Sequence, residues 1–540
     1  MNVTNSPDIQ VSQRPAAKER KNIILKSLSK LLKLLFNRIF YVAFAILAQI
    51  GWLALLAFYF VSYSSYIYIG VEVLAIILVL WIVNKKMNPS YKLAWTVTIL
   101  AVPVFGVLLY FLFGKSRIAA AMAVRIEKVT DDSRPFLLED QETRRQLMEA
   151  DPSVNLQSLY IRDKAGFPLC GHTETQYFQV GDQMFPVLVS ELQRAERFIF
   201  IEYFIINDGL MWETILGILE KKAAEGVDVR LIYDGFGGLT SLPARYAEKL
   251  REKNLKCVVF NPFRPILNIV QNNRDHRKLC IIDGKTGFTG GINLSDEYIN
   301  QKKRFGHWKD TAVMLRGDAV WNMTVMFLHM WQVVNKDDTV PDYQAYMPET
   351  DQKHPFVHDG FVQPFSDSPL DKETVGENVY LHIINRANRY VYICTPYLII
   401  DNEMMTALCL AAKSGVDVRI ITPSVPDKRM VFWLSQSYYE QLLEAGVKIY
   451  EYQPGFLHAK SFVCDDEIGV VGTINLDYRS LYLHFEDGVW MYKTSVIGKM
   501  RTDFENTLAY SKPVTLEFCH GRNIFVRLVQ NVLRLVAPMI

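Results

Sequence analysis

Paired metal-ligand cysteines are missing from this chain. Its seven cysteines (170, 257, 280, 394, 409, 464 and 519) are odd in number and show no C-x-x-C spacing. That excludes a zinc site of the usual thiolate type and favours reduced core residues over a disulfide framework. An excess of charge of one sign is missing too: 59 Lys plus Arg stand against 57 Asp plus Glu. Dedicated nucleic-acid binders carry a basic excess, so no nucleic-acid partner is expected. Nor does the first apolar run read as a signal peptide, because it is too long and lacks a small-residue cleavage site.

Long apolar runs, by contrast, crowd one end. Residues 39–62, 67–83 and 94–113 contain a single charged side chain, Glu72. Each run is near the roughly 20 residues that span a bilayer, which predicts three transmembrane helices within a region at 39–114. A basic tail, 1–38, precedes them. Within it Lys26, Lys30 and Lys33 recur at helical spacing among leucines, the pattern either of an amphipathic helix on an anionic surface or of an ordinary positive flank of the first span. The lipid bilayer is therefore an expected partner, and a multi-pass position in a cell membrane the expected location. Orientation stays open. Eight Lys or Arg against two acids in 1–38, with Lys85, Lys86 and Lys92 after the second run, favour a cytoplasmic start. Three spans then put the remainder outside, whereas Lys115 and Arg117 pull it back in.

Beyond a charged connector at 115–150, strand-like and helix-like runs alternate, which predicts an α/β fold. The pentapeptide Gly-Val-Asp-Val-Arg occurs at 226–230 and again at 415–419, each time between a helix-like run and a strand-like one. The soluble part therefore reads as two copies of one domain, at 151–345 and 346–516, related by a pseudo-two-fold axis. A terminal segment, 517–540, is apolar at helical spacing with Arg522, Arg527 and Arg534 interspersed. It reads either as an amphipathic helix on the membrane or as a helix packed into the core.

The duplication carries the chemistry. His276, Lys278, Asp283 and Asn293 recur as His458, Lys460, Asp465 and Asn475, each offset by 182. One H-x-K-x4-D arises by chance at roughly one position in 8000, so a single copy means little. Two copies in equivalent places of a repeat, each with Asn seventeen residues after the His, are a site. Two lysines and two amides around one point suit a phosphate, with no metal needed. They also stabilise charge that develops in the transition state. One imidazole can attack phosphorus while the other protonates the departing alkoxide. A histidine in that role needs a carboxylate to fix its tautomer. Asp283 and Asp465 lie about 20 Å along an extended chain from their histidines, so they are expected to brace the following turn. Asp310 and Glu486 are the better candidates for orienting the rings.

These residues resemble the phospholipase D superfamily, whose signature is the duplicated H-x-K-x4-D. The stretches "GGINLSDEYIN", "FGHWKDT", "PGFLHAKSFVCDDEIGVVGTINLDYRSLYLHFE" and "LLYFLFGKS" are similar to bacterial cardiolipin synthases, from about residue 67 onward. The resemblance implies two tandem α/β/α sandwich halves, no cofactor, and phosphatidylglycerol as the lipid substrate, two molecules giving cardiolipin and glycerol. It further implies that His276 is the nucleophile and His458 the acid. Each acidic partner is implied to come from the opposite half: Glu486 for His276, Asp310 for His458. A membrane-bound hydrolase, or a transphosphatidylase with another acceptor, shares every one of these residues. A non-catalytic membrane scaffold is a more distant alternative.

Overall fold

Runs rich in β-branched and aromatic residues form the strands, and nine of the twenty described are buried along their whole length. A computed structural model describes residues 65–113, 117–239, 241–262, 272–335, 342–348, 358–371 and 373–539, with scattered positions in 47–59 and Phe356. The basic tail and most of the first apolar run lie outside the described residues.

In the first half the strands are β1 (Thr173–Phe178), β2 (Phe198–Tyr203), β3 (Asp228–Asp234), β4 (Lys256–Phe260), β5 (Arg274–Asp275), β6 (Lys278–Ile282), β7 (Thr286–Gly290), β8 (His307–Lys309) and β9 (Ala312–Gly317). One sheet runs β1-β9-β7-β6-β2-β3-β4. The second half contributes β10 (Phe361–Asp367), β11 (Tyr390–Cys394), β12 (Leu398–Ile399), β13 (Asp417–Pro423), β14 (Lys448–Tyr452), β15 (Gly455–Leu457), β16 (Ser461–Cys464), β17 (Ile468–Gly472), β18 (Leu476–Asp477), β19 (His484–Tyr492) and β20 (Ser511–Pro513). Its sheet runs β10-β19-β17-β16-β11-β13-β14-β20. Apart from the added edge strand β20, the two orders are the same. Each copy has two parallel pairings (β2-β3-β4 and β11-β13-β14), and the rest of the path is antiparallel. The repeated pentapeptide opens β3 and β13. Its glycines, Gly226 and Gly415, sit at φ +95 and +97, where the preceding helix ends in the left-handed region that suits glycine.

The two sheets share a core. The helix Ala319–Val334 is buried on nearly all sides and packs against strands of both halves, including β9 and β10. A helix apolar all round belongs in such an interior. The seven cysteines are free; six are buried and Cys409 is half-buried.

The two halves are also stitched together by two short parallel pairings. Residues of β5 align with the start of β19 (Arg274 with His484, Asp275 with Phe485). Residues of β15 align with β8 (Gly455 with His307, Leu457 with Lys309). In each case the segment that leads into a motif histidine leaves its own sheet and lies along the other half.

One apolar run differs from the single helix expected of it. Residues 67–83 fall in the helix α1 (Ser65–Val83). Run 94–113 is not one helix. It breaks at Val102 (φ −140, ψ 79) into α2 (Pro89–Ala101) and α3 (Pro103–Phe113). Pro103 cannot donate the next helical hydrogen bond, and its ring excludes the preceding carbonyl. The chain then reverses. The rings of Trp95 and Tyr110 pack edge to face at 5.1 Å, although a straight helix would separate them by about 22 Å. A Cβ on Gly106 would stand 2.5 Å from the Ile99 Cα, so only glycine permits the close crossing. Among the described residues, no helix is long and apolar enough to cross a membrane.

The terminal segment forms the helix Ile524–Val536, and its apolar face is turned outward. Ile524, Phe525, Leu528, Val529, Val532 and Leu535 are exposed, while Gln530 and Leu533 are buried. The helix joins the core through Leu533 and Ala537 alone and presents the rest of its apolar side outward.

Candidate active site

Neither motif histidine lies on a regular strand. His276 sits between β5 and β6, and His458 between β15 and β16. The reason is the stitching. The chain pairs across to the other half before each His and rejoins its own sheet afterwards. The His276 amide donates to the Phe485 carbonyl (2.8 Å), and the His458 amide donates to the Lys309 carbonyl (2.7 Å). The residue after Phe485 is Glu486 and the residue after Lys309 is Asp310. Cross-half pairing therefore delivers each acid to the histidine of the opposite copy.

The contacts follow. His276 Nδ1 lies 3.0 and 2.9 Å from the two oxygens of Glu486. His458 Nδ1 lies 2.6 Å from Asp310 Oδ2. With Nδ1–H donating to a carboxylate, the lone pair of the neutral ring is on Nε2. Both acids are fully buried, and both histidine rings keep a sliver of exposure. The two carboxylates are held differently. Glu486 also accepts from the Ser480 hydroxyl (2.7 Å), and Asp310 Oδ1 accepts from the Thr311 amide (2.8 Å).

Burial lowers both imidazoles. His276 is pushed well below its ordinary value, with Glu486 opposing, and His458 is pushed to about 4, with Lys460 adding and Asp310 opposing. Burial alone would raise Glu486, but His276 beside it carries the carboxyl far below the usual range. Lys278 Nζ donates to the His276 carbonyl (2.6 Å), and Lys460 Nζ to the His458 carbonyl. Burial lowers Lys278, and lowers Lys460 to about 7. Two buried ammonium groups next to neutral imidazoles form a cationic niche for an anion.

Of the remaining predicted residues, the two aspartates hold the scaffold. Asp283 (φ +55) accepts the amides of Glu196, Arg197 and Phe198 at 2.9, 2.7 and 2.9 Å. Asp465 (φ +55) accepts those of Asn388, Arg389 and Tyr390 at 2.7, 2.9 and 2.8 Å. Each Asp thus ties the end of its motif strand to the start of the neighbouring strand, away from the ring nitrogens. Asn293 is engaged by the protein, accepting from the Ile205 amide (3.0 Å) and donating to the Tyr298 hydroxyl (2.7 Å). Asn475 is buried, and its Oδ1 has no hydrogen-bond partner among the described residues.

Sequence reasoning missed several neighbours. His484 is largely buried, 3.5 Å from Glu486 Oε1, with its ring 5.4 Å from that of His276. Donor atoms of His276, His484 and Glu486 all lie within 4.8 Å of one another, close enough to chelate a cation. The clue was present: His484 and Glu486 are two apart on one strand and so share a face. Beneath the site Arg277 is fully buried between Glu202 (2.5 Å) and Asp275 (3.1 Å). Asp487 accepts from the Lys278 amide (3.3 Å) and the Thr289 hydroxyl. Removing one partner of such a buried set costs about 3–5 kcal/mol, so Glu202→Ala is expected to lower the melting temperature by several degrees, checked by calorimetry.

The sequence matches the family described as "Cardiolipin synthase, PLD-like domain" over residues 188–331 and 380–508. Residues 73–115 match "Phospholipase_D-nuclease N-terminal". A "Cardiolipin synthase 2" of Bacillus cereus is 37% identical over 464 residues, covering 84% of this chain and 88% of that one. An uncharacterized protein of Streptococcus mutans is 46% identical over 462 residues, covering 86% and 99%. Among solved structures, phosphatidylserine synthase of Haemophilus influenzae shares the fold, with a TM-score of 0.53 and 15% identity over 71% of this chain and 97% of that one.

Proposed function

The chain belongs to the cardiolipin synthase family of phospholipase D-type phosphatidyltransferases, and on that premise we propose that its two histidines act in sequence on two phosphatidylglycerol molecules at the plasma membrane. The observation that carries this reading is the reciprocal pairing of each histidine with the acid of the other half.

In the first step Nε2 of His276 attacks the phosphorus of one phosphatidylglycerol. The bond from phosphorus to the headgroup glycerol oxygen breaks, and His458 Nε2–H gives its proton to that oxygen, releasing glycerol. The phosphatidyl group is now on His276. In the second step the headgroup hydroxyl of another phosphatidylglycerol loses its proton to His458 and attacks phosphorus. The P–N bond breaks, cardiolipin leaves, and both histidines return to their starting state. Lys278 and Lys460 hold the phosphoryl oxygens throughout. In the empty site both rings are neutral near pH 7, which suits the nucleophile. The acid acquires its proton when the anionic phosphodiester enters and raises the neighbouring imidazole.

Two features support His276 as the nucleophile. Glu486 presents both oxygens to Nδ1, and it stays ionised far below the usual carboxylate range. Such a group offsets the positive charge of a phosphorylated imidazole. The N-terminal segment, with its apolar runs and basic tail, keeps this site at the bilayer that holds its substrates.

The test is lipid turnover in mixed micelles. Phosphatidylglycerol alone should give cardiolipin and free glycerol in equal amounts. Phosphatidic acid with no cardiolipin at any lipid density would mean hydrolysis instead.

The lysines set an expected pH dependence. Lys460 titrates at about 7 in the empty site, so it is charged below that pH and loses its charge above it. kcat/KM, which reports the free enzyme, should therefore fall more steeply as the pH rises through about 7, where the loss of the Lys460 charge adds to that of the His458 proton. At saturating lipid the bound phosphate holds the lysine protonated, so the fall in kcat should move to higher pH. Lys460→Arg should remove the steepening near 7 and leave only the fall set by His458, which the free enzyme holds at about 4. A kcat/KM profile flat from pH 6 to 9 in the wild type would contradict this.

A further inference from the structure

The fold-back of run 94–113 bears on which side of the membrane the catalytic body occupies. α2 and α3 have 13 and 11 residues, rises of about 20 and 17 Å. Neither reaches across a hydrocarbon core of about 30 Å. Their shared turn is apolar and bare: Leu100 and Val102 are more than half exposed, as are Leu93 and Phe111 on the flanks. At the opposite end aromatic rings and a lysine gather. Lys85 Nζ lies 4.0 Å over the Trp81 ring and donates to the Tyr110 hydroxyl (2.9 Å), which packs on Trp95. An amphipathic ring cluster with a lysine at its edge is the arrangement found at a membrane–water boundary. From Trp95 to Val102 the chain rises about 10 Å, which stays within one leaflet.

Both ends of the hairpin are fastened to the catalytic body. On entry, Asn88 Nδ2 donates to Asp401 (2.9 Å) and to the Tyr482 hydroxyl (2.8 Å), and Tyr91 packs edge-on against Tyr478 and Tyr482. On exit, the helix α4 (Arg117–Ser133) is bound through Arg125, which donates to the carbonyls of Gln332 (2.6 Å) and Asn335 (3.2 Å). The C-terminal helix touches α2 and carries its apolar face outward beside the hairpin. A bare apolar helix face and a bare apolar turn each cost free energy in water and none against acyl chains.

We propose that α2 and α3 form a re-entrant hairpin that dips into the monolayer facing the catalytic body, with the C-terminal helix lying in the same monolayer. The occupant of this surface is phospholipid. Run 94–113 then does not change the side of the chain. Lys85, Lys86 and Lys92 before it, and Arg117 after it, fall on one face together, which removes the conflict between the charges on its two sides. The inference stands on packing alone and does not depend on the catalytic reading.

Cysteine accessibility tests it in the full-length, membrane-embedded protein. Lys86→Cys and Glu127→Cys flank the hairpin at exposed positions, Asn84→Cys and Ala121→Cys form a second pair, and Asn506→Cys marks the body. Only variants that insert and retain lipid turnover are scored, with the wild-type signal subtracted. A membrane-impermeant maleimide should label all five from the same side, in inverted vesicles or in intact protoplasts but not in both. Labelling of the two flanks from opposite sides would overturn the proposal. An environment-sensitive fluorophore on Val102→Cys or Leu528→Cys should be blue-shifted and quenched by nitroxide-bearing lipids. A water-like, unquenched spectrum at Val102 would overturn the hairpin, and one at Leu528 would overturn the placement of the C-terminal helix.

Discussion

Replacing His276 by alanine should remove lipid turnover, by about 10⁴-fold or more, and His458→Ala should do the same. The two losses have different causes, and one substrate separates them. His276 supplies the atom that bonds to phosphorus, so no leaving group can bypass its absence. His458 supplies a proton, which a good leaving group does not need. With a phosphatidyl ester of p-nitrophenol, His458→Ala should still release a burst of nitrophenolate close to one equivalent, then stall. His276→Ala should give no burst. The folds should survive, because Lys278 and Lys460 each keep a bond to a backbone carbonyl that alanine retains, although Lys460 loses its 2.9 Å contact with His458 Nδ1. A burst from His276→Ala, or multiple turnovers by either variant, would contradict the two-histidine mechanism.

Glu486→Gln should lower kcat by about 10²- to 10⁴-fold and leave KM within a few-fold. The side chain keeps its volume, so the effect isolates charge and donor pattern. A neutral amide no longer holds the Nδ1–H tautomer, and it no longer offsets positive charge on His276. Ser480 and His484 are placed to lose a partner as well, since both face the same carboxylate. Steady-state kinetics in phosphatidylglycerol micelles, with circular dichroism as a control, measure this. If kcat changed by less than about three-fold, the Glu486–His276 contact would be a packing feature. The kcat of Asp310→Asn should fall by a similar factor, because the acid that serves both steps loses its orientation.

Much of this site is legible in the sequence because duplication amplifies it. One H-x-K-x4-D is noise. Two copies with a constant offset of 182, each followed by Asn at seventeen, point to one centre. The pairing of acids across halves is not legible from spacing and rests there on resemblance alone. Its physical basis is the exchange of short strands β5 and β15, each with two or three aligned residues. A pairing that short leaves no periodic signal. The same exchange explains why the histidines are off the regular strands. Arg277 went unread because a charged residue between His and Lys looks like a solvated one, and only the fold shows it buried against Glu202 and Asp275.

The apolar segments show the opposite balance. Their composition is plain, but their course is not. Proline within a run of twenty apolar residues is tolerated in membrane helices, so Pro103 alone did not announce a reversal. Gly106, three residues later, is the companion signal, because the crossing leaves no room for a Cβ. For the C-terminal helix, spacing located the apolar face. Which way that face points depends on its neighbours, α2 and the helix Arg429–Gln436, and a single sequence does not encode that as a pattern.

The central claim is that the phosphatidyl group passes through one defined histidine. Incubating the enzyme with phosphatidylglycerol labelled at phosphorus, quenching in alkali and mapping the labelled peptide tests it most directly. The label should be acid-labile, base-stable and confined to the peptide that contains His276. Label on His458 would reverse the two roles.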